Sequence, residues 1–291
     1  MARFEVPEVD YTRYTNRQLA AVPLAVLAVA LVVIAGFYVA TGSPVDPGVD
    51  FAGGTELRVA VDAPDQQARA QMQSAFDAAP DSIQSVQGSD VYVVTFEQTA
   101  VSASDLRQQA TDAGFEVRSI DTTSASFGGD NQQLALLGVV AAFLGMAVLV
   151  FAMFRSFVPS IAVVISAFSD IVIPVALMNL LGIELSLGTV AALLMLIGYS
   201  VDSDILLNNS ILRRSGDFYE STYRAMRTGV TMTLTSLAAM AVMAIAATLL
   251  GIDLLASIGI ILVFGLATDL MNTYMLNLSL LRWYVFEGVA R

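Results

Sequence analysis

Six apolar runs decide what this chain can become. They lie near residues 19–40, 134–154, 157–182, 185–207, 229–250 and 254–281. Crossing the hydrocarbon of a bilayer takes about 20 residues of helix, and each run is long enough. Lipid offers no partner for a bare N–H or C=O, so such runs span as helices. With 56% of residues hydrophobic and 14% charged, the chain reads as an α-helical polytopic membrane protein. The first run is longer than a signal-peptide core of ~7–15 residues, and Tyr38 spoils a small-x-small cleavage site. It reads as an uncleaved anchor.

Arginine in short loops sets orientation. Arg3, Arg13 and Arg17 precede the first span, and Arg155 separates the second from the third. Arg213, Arg214, Arg224 and Arg227 separate the fourth from the fifth, and Arg282 and Arg291 close the chain. The connections "LGIELS" and "LGIDLL" have no basic residue. The topology that fits is a cytoplasmic segment 1–18, a first span 19–41, an outer domain 42–133, a five-span region 134–283 and a cytoplasmic tail 284–291. Both termini are then inside a multi-pass protein of the cell membrane.

The outer segment reads as α+β. "TELRVAV" (55–61) alternates like a strand. "PDQQARAQMQSAFDAA" (64–79) reads as an amphipathic helix with Pro64 near its start. "IQSVQ" and "DVYVVTFE" (90–97) flank a hairpin turn "GSD". "SASDLRQQATDAG" (102–114) has a Ser start and a Gly stop, and "FEVRSIDT" (115–122) is a last strand. The order β-α-β-β-α-β is that of a ferredoxin-like split unit. "SFGGDNQQ" (126–133) reads as a Gly-rich hinge back to the membrane.

Net charge is −12, every basic residue is Arg, and Lys, His and Cys are absent. An acidic surface without Lys suits a cell of very high salt, where screening weakens carboxylate repulsion. It argues against a nucleic-acid partner. Without Cys there is no disulfide framework. No phosphate loop, metal-ligand cluster or nucleophile–base pair is visible, so neither an enzyme nor a cofactor or metal is expected.

The chemistry lies in carboxylates placed where they are costly. An ionisable group inside a span costs ~2.5–3.5 kcal/mol on insertion scales. Asp170 falls near the middle of the third run, Asp202 and Asp204 in the fourth, and Asp269 in the sixth. Burial raises a carboxyl pKa and suits such a group to carry a proton or bind a cation. Two residues apart, Asp202 and Asp204 point ~200° from each other on a helix. Asp202 shares a stripe with Gly198 and Asn209; Asp204 shares one with Ser200 and Asn208. Asp202 is the favoured ion-coupling residue, ahead of Asp170 and Asp269, and Asp204 reads as nearer the interface. The alternative for each is a plain hydrogen bond between helices.

An internal repeat adds to this. "LGIEL" (181–185) returns as "LGIDL" (250–254), and "NNSILR" (208–213) as "NLSLLR" (277–282), both 69 residues later. Gly198-x-x-x-Asp202 matches Gly265-x-x-x-Asp269 at a shift of 67. That second match predicts spans four and six packed together, with Asp202 and Asp269 in one layer.

Two stretches now carry a resemblance. "VDFAGGTEL" (49–57) is similar to the Asp-Phe-x-Gly-Gly motif of the SecD/SecF family, and "IGYSVDSDILLNNSILRR" (197–214) resembles its fourth-span signature. Asp170 falls where that family has a third-span Asp. The single six-span copy and the small outer domain resemble the SecF branch in archaea. The resemblance implies a bundle of the resistance-nodulation-division type. It implies an accessory role in Sec protein export, driven by an ion gradient, commonly of protons. SecD, the protein-conducting channel, translocating polypeptides and membrane lipids would be its partners. It assigns Asp202 to the signature carboxylate and Asp50, Phe51, Gly53 and Gly54 to the outer motif. The two Gly allow a tight turn or close approach. Bacterial members have His before the third-span Asp, where this chain has Ser169. They also carry an Arg inside span five, where the nearest here is Arg227. Two other readings stay open: a non-coupling scaffold of the same complex, and a small-molecule or lipid exporter of the same superfamily.

Overall fold

The computed structural model describes residues 6, 9–85, 90–96, 101–213, 216–250 and 252–288. The six expected spans are six helices. The first, α1 (Asn16–Thr41), starts at a capping box between Thr15 and Gln18 and stops at Gly42, whose φ of 81° suits a residue without Cβ. A one-turn helix α2 (Val49–Ala52) follows. Then come β1 (Gly54–Ala60), α3 (Asp65–Ala75), β2 (Ser82–Ser85), β3 (Val91–Phe96), α4 (Ala103–Asp112) and β4 (Glu116–Thr123). The remaining spans are α5 (Ala125–Phe154), α6 (Phe157–Leu181), α7 (Leu187–Arg213), α8 (Phe218–Leu249) and α9 (Asp253–Met271). The last helix runs on through a π-helical stretch, Asn272–Asn277, into α10 (Leu278–Trp283).

The sheet order is β2-β3-β1-β4, every pair antiparallel. With helices after β1 and β3, this is the expected ferredoxin-like unit. Its core follows from strand alternation. Leu57 and Val59 of β1 and Val94 and Phe96 of β3 point one way and meet Ala68 and Met72 of α3 and Leu106 and Ala110 of α4. Phe76 closes the layer edge-on to Phe96 at 5.0 Å. The expected hairpin turn "GSD" lies largely outside the described residues.

The Gly-rich hinge is not a hinge. Residues 125–133 are the first turns of α5. The reason is packing: a Cβ on Gly128 would sit 2.7 Å from the carbonyl oxygen of Phe51. Gly128 lets the helix pass directly over α2, and the helix continues unbroken from there.

In the bundle, α6, α7 and α9 are the inner helices, while α1, α5 and α8 bury little of their surface. Leu196 of α7 meets Met178 of α6 and Ile261 and Leu262 of α9 in the core nearest the sheet. Ile197 and Val201 meet Val163 and Ala167 of α6 and Val150 of α5. Large exposed apolar residues such as Val148, Phe151, Val242 and Ile245 are ordinary here, because lipid tails are as apolar as leucine.

A candidate intramembrane ion site

The bundle's centre is polar. Asp170 on α6 is fully buried and accepts from Ser200 Oγ of α7 at 2.6 Å and from Asn272 Nδ2 of the π-helical stretch at 2.6 Å. Asp204 on α7 is fully buried, and its Oδ1 accepts from Thr273 Oγ1 and Asn277 Nδ2, both at 2.8 Å. Asp269 on α9 is buried, and its Oδ1 lies 2.7 Å from Ser203 Oγ and 3.2 Å from Thr273 Oγ1. Asn277 also donates to Asn208 Oδ1 at 3.2 Å, and Asn208 donates to the carbonyl of Pro159. Three carboxylates from three helices thus share one hydrogen-bonded layer.

The layer forms because α7 and the last helix run parallel in one register. Asp204 meets Thr273, and Asn208 meets Asn277, each pair 69 residues apart. That is the offset at which "NNSILR" repeats as "NLSLLR". The helix after Met271 is widened to the π form, in which N–H groups bond five residues back. In an α-helix Asn272 and Asn277 would point ~140° apart; here both reach the carboxylates.

The structure therefore reverses one expectation. Asp202 is exposed on the outside of the bundle, with Gly198 and Tyr199 beside it, and it shares no layer with Asp269. The stripe Ser200–Asp204–Asn208 faces the interior, and the stripe Gly198–Asp202–Asn209 faces outward. The error came from pairing at a shift of 67; at 69, Asp202 falls opposite Met271. Spans four and six do pack, but through other groups: Gly265 faces the side chain of Leu196, whereas a Cβ on Gly198 would meet nothing within 4 Å. Sequence reasoning placed Ser200 only beside Asp204 on a helix face, and it missed Ser203, Asn272, Thr273 and Asn277. The 69-residue offset was the signal that leads to the last two.

Several polar atoms of the layer stay unpaired. Asp204 Oδ2, Asp269 Oδ2, Asn272 Oδ1 and Asn277 Oδ1 are buried acceptors without a hydrogen-bond partner. Ser166 and Ser169 on α6 are also fully buried with unpartnered hydroxyls. Among the described residues no Arg pairs with Asp170, Asp204 or Asp269, and no three acidic groups stand close enough together to hold a metal ion. Leaving a buried acceptor unmet costs ~1–3 kcal/mol, more if it is charged. A proton, a cation or water at these oxygens removes that cost.

The outer motif is folded tightly. Asp50 and Phe51 lie in α2, and Phe51 is buried. Gly53 and Gly54 have φ of 76° and 128°, a region that side chains avoid. Asp50 Oδ2 accepts from the backbone N–H of Leu187, the first residue of α7, at 3.0 Å.

A six-span bundle holding buried carboxylates, with one small sheet domain at its end, defines a multi-pass membrane protein of the transport class. The chain belongs to the SecD/SecF family. The family model "Protein export membrane protein SecD/SecF, C-terminal" matches residues 103–287. A protein-export membrane protein SecF from Haloferax volcanii is 75% identical over 291 residues, covering 100% of both chains. SecF from Pyrococcus furiosus is 41% identical over 269 residues, 90% of this chain and 89% of its own. The halophilic and archaeal reading of the composition agrees with these relatives. In fold, the chain superposes on SecDF from Thermus thermophilus, described as a translocon-associated membrane protein, with a TM-score of 0.72 at 20% identity. It covers 96% of this chain and 39% of that one. The expected six-span bundle with a ferredoxin-like sheet domain thus holds. The relatives are named for protein export, a transport role and not an enzymatic one.

Proposed function

We propose that this chain is an accessory subunit of the Sec translocation system that works with SecD. In this reading its termini are cytoplasmic, its sheet domain lies outside, and an ion gradient acts through Asp204, Asp269 and Asp170. The observation that carries the proposal is the sharing of single hydroxyls between buried acceptors in the layer. Thr273 has one hydroxyl proton and stands between Asp204 at 2.8 Å and Asp269 at 3.2 Å. Ser203 stands likewise between Asp269 and the carbonyl of Ser200. Each hydroxyl serves one acceptor at a time, so a proton or cation arriving at Asp204 or Asp269 turns the hydroxyls and changes how α7 holds α9. The protein-conducting channel, translocating polypeptides and surrounding lipids are the partners this role requires.

Asp202 takes a different part. It lies at the depth of the layer but on the outside, where lipid would make its charge costly. Gly198 on the same stripe leaves room for close helix approach. A SecD helix offering a donor at this depth is the occupant that relieves the charge; a second copy would set carboxylate against carboxylate.

The test is secretion of a reporter in cells lacking the wild-type gene, with Asp204→Asn, Asp269→Asn and Asp170→Asn at equal membrane abundance. Secretion is expected to fail in each. In wild-type cells, dissipating the proton gradient and the sodium gradient separately identifies the ion. Normal secretion by all three variants refutes the coupling and leaves the scaffold reading. Whichever reading holds, the sheet domain's own core is filled by side chains. The cavity of about 550 Å³ near it lies between its uncovered face, at Glu56, Arg58 and Gln84, and the ends of α7 and α9. An exporter would need a ligand cavity inside the domain, and among the described residues that interior is packed with side chains.

A further inference from the structure

The contacts of the segment around Asp50 tie it to the helix that builds the ion site. The segment before it runs alongside the α6–α7 connection as a short parallel bridge, Pro47 opposite Leu185. Leu185 N–H donates to the Asp46 carbonyl at 2.7 Å, and Gly48 N–H to the Leu185 carbonyl at 2.8 Å. Asn179 Nδ2 of α6 donates to the Pro44 carbonyl at 2.9 Å. Beyond the bridge, Gln84 of the sheet's edge strand donates to Glu184 at 2.9 Å.

Asp50 completes this contact at the start of α7. The first N–H groups of a helix have no partner within it. Ser186 Oγ caps Thr189 N–H at 3.2 Å, and Thr189 Oγ1 answers Ser186 N–H at 2.7 Å. Asp50 Oδ2 takes the N–H of Leu187. The negative carboxylate also sits at the positive end of the helix dipole. Directly after Asp50 the chain turns through Gly53 and Gly54 into the central strand β1, and it is pressed on its other side by Gly128 of α5. A rigid route therefore runs from β1, through α2, to the N-terminus of the helix that carries Ser200, Ser203 and Asp204.

We infer that Asp50 is a positioning residue: its hydrogen bond to Leu187 couples α7 to the sheet domain, so that a shift of α7 at the carboxylate layer moves the domain with it. This rests on the ion-coupling reading above. The link is a fixed strap, not a contact that opens and closes. Asn at this position keeps an oxygen acceptor; Ala does not.

The bond can be removed from either side in the full-length chain. Asp50→Ala deletes the acceptor. Leu187→Pro deletes the donor at the first helical position, where proline is tolerated. Each is expected to lower reporter secretion at least tenfold at normal membrane abundance and normal SecD co-purification, while Asp50→Asn stays within twofold of wild type. A disulfide then replaces the strap. Pro47→Cys with Leu185→Cys, in this Cys-free chain, joins residues on neighbouring backbones at a spacing a disulfide spans. Oxidised, the pair is expected to leave the Asp50 chain active and to restore the Asp50→Ala chain, and a reductant is expected to abolish that rescue. Normal secretion by both Asp50→Ala and Leu187→Pro overturns the inference, and so does a disulfide that blocks the Asp50 chain or fails to rescue. If Asp204→Asn blocks secretion while Asp50→Ala does not, only the strap fails. If Asp204→Asn, Asp269→Asn and Asp170→Asn all secrete normally, the ion-coupling reading fails and the strap's role in it falls too.

Discussion

Asp204→Asn separates a chemical role from a structural one, and the structure sets how much each should cost. Asp204 Oδ1 receives both hydrogen bonds, from Thr273 and Asn277. Asn keeps that oxygen. The new NH₂ replaces Oδ2, which makes no hydrogen bond, and it has unmet acceptors in the same layer. Interhelical hydrogen bonds in membranes average ~0.6 kcal/mol, with a maximum near 1.7. The Asn variant should therefore fold within about 1 kcal/mol of wild type. Asp204→Ala loses two such bonds and should be destabilised by roughly 1–3 kcal/mol on the same scale. Asp202→Asn touches no partner within the bundle, so bundle stability should not change. The assay is paired: equilibrium unfolding of the purified chain in mixed micelles, and reporter secretion in cells. The expected pattern is a stable but inactive Asp204→Asn, a destabilised Asp204→Ala, and an Asp202→Asn that is stable and loses SecD on purification. Domains are stable by ~5–15 kcal/mol, so a change of about 1 kcal/mol leaves the chain folded and does not account for a tenfold loss of secretion. If Asp204→Asn secretes normally while Asp202→Asn is stable and inactive without losing SecD, the assignment of the two stripes to their roles is wrong.

Gly229 bears on the same layer from α8: a Cβ there would run into the hydroxyl of Tyr274, next to Thr273. Gly229→Val is expected to destabilise the chain by ~1–3 kcal/mol through overpacking and to reduce secretion, whereas Ala238→Val on the lipid-facing side of α8 should do neither; unfolding in micelles measures both. Cysteines at Leu196 and Gly265 should form a disulfide or bridge with a short bifunctional reagent, while a Gly198–Gly265 pair should not. A mass shift on a non-reducing gel decides it. Residues 42–133 hold 14 acidic residues and four Arg, a net −10 that repels itself when salt is removed. Circular dichroism of residues 42–130 should show native signal at high salt and loss at low salt. A full signal without salt would contradict the charge argument.

The spans and the β-α-β-β-α-β order were legible because each depends on a local pattern, apolar length in one case and strand and helix period in the other. The facing of α7 was not. In a soluble helix, the apolar stripe marks the inside. Within a bilayer the outside is equally apolar, so amphipathicity loses its meaning, and the choice between Asp202 and Asp204 had to come from elsewhere. The information was present as a register. Two parallel helices meet residue by residue along a constant offset, and 69 joins Asp204 to Thr273 and Asn208 to Asn277. Each pair is polar on both sides. The competing offset of 67 sets Asp202 against Asp269, two acceptors, and sets Asp204 against Met271. A polar layer in lipid must satisfy its members, so the offset that supplies donors to acceptors is the one that folds. The π-helical stretch remained out of reach for a related reason. Thr273 and Asn277 share a face at 3.6 residues per turn, but Asn272 lies ~100° from the first and ~140° from the second, and it reaches Asp170 where the helix is widened. That widening gives up regular α-helical hydrogen bonding to bring three donors to three carboxylates. Burying those carboxylates unpaired would cost far more, so the polar layer itself supplies the reason the helix departs from α geometry there.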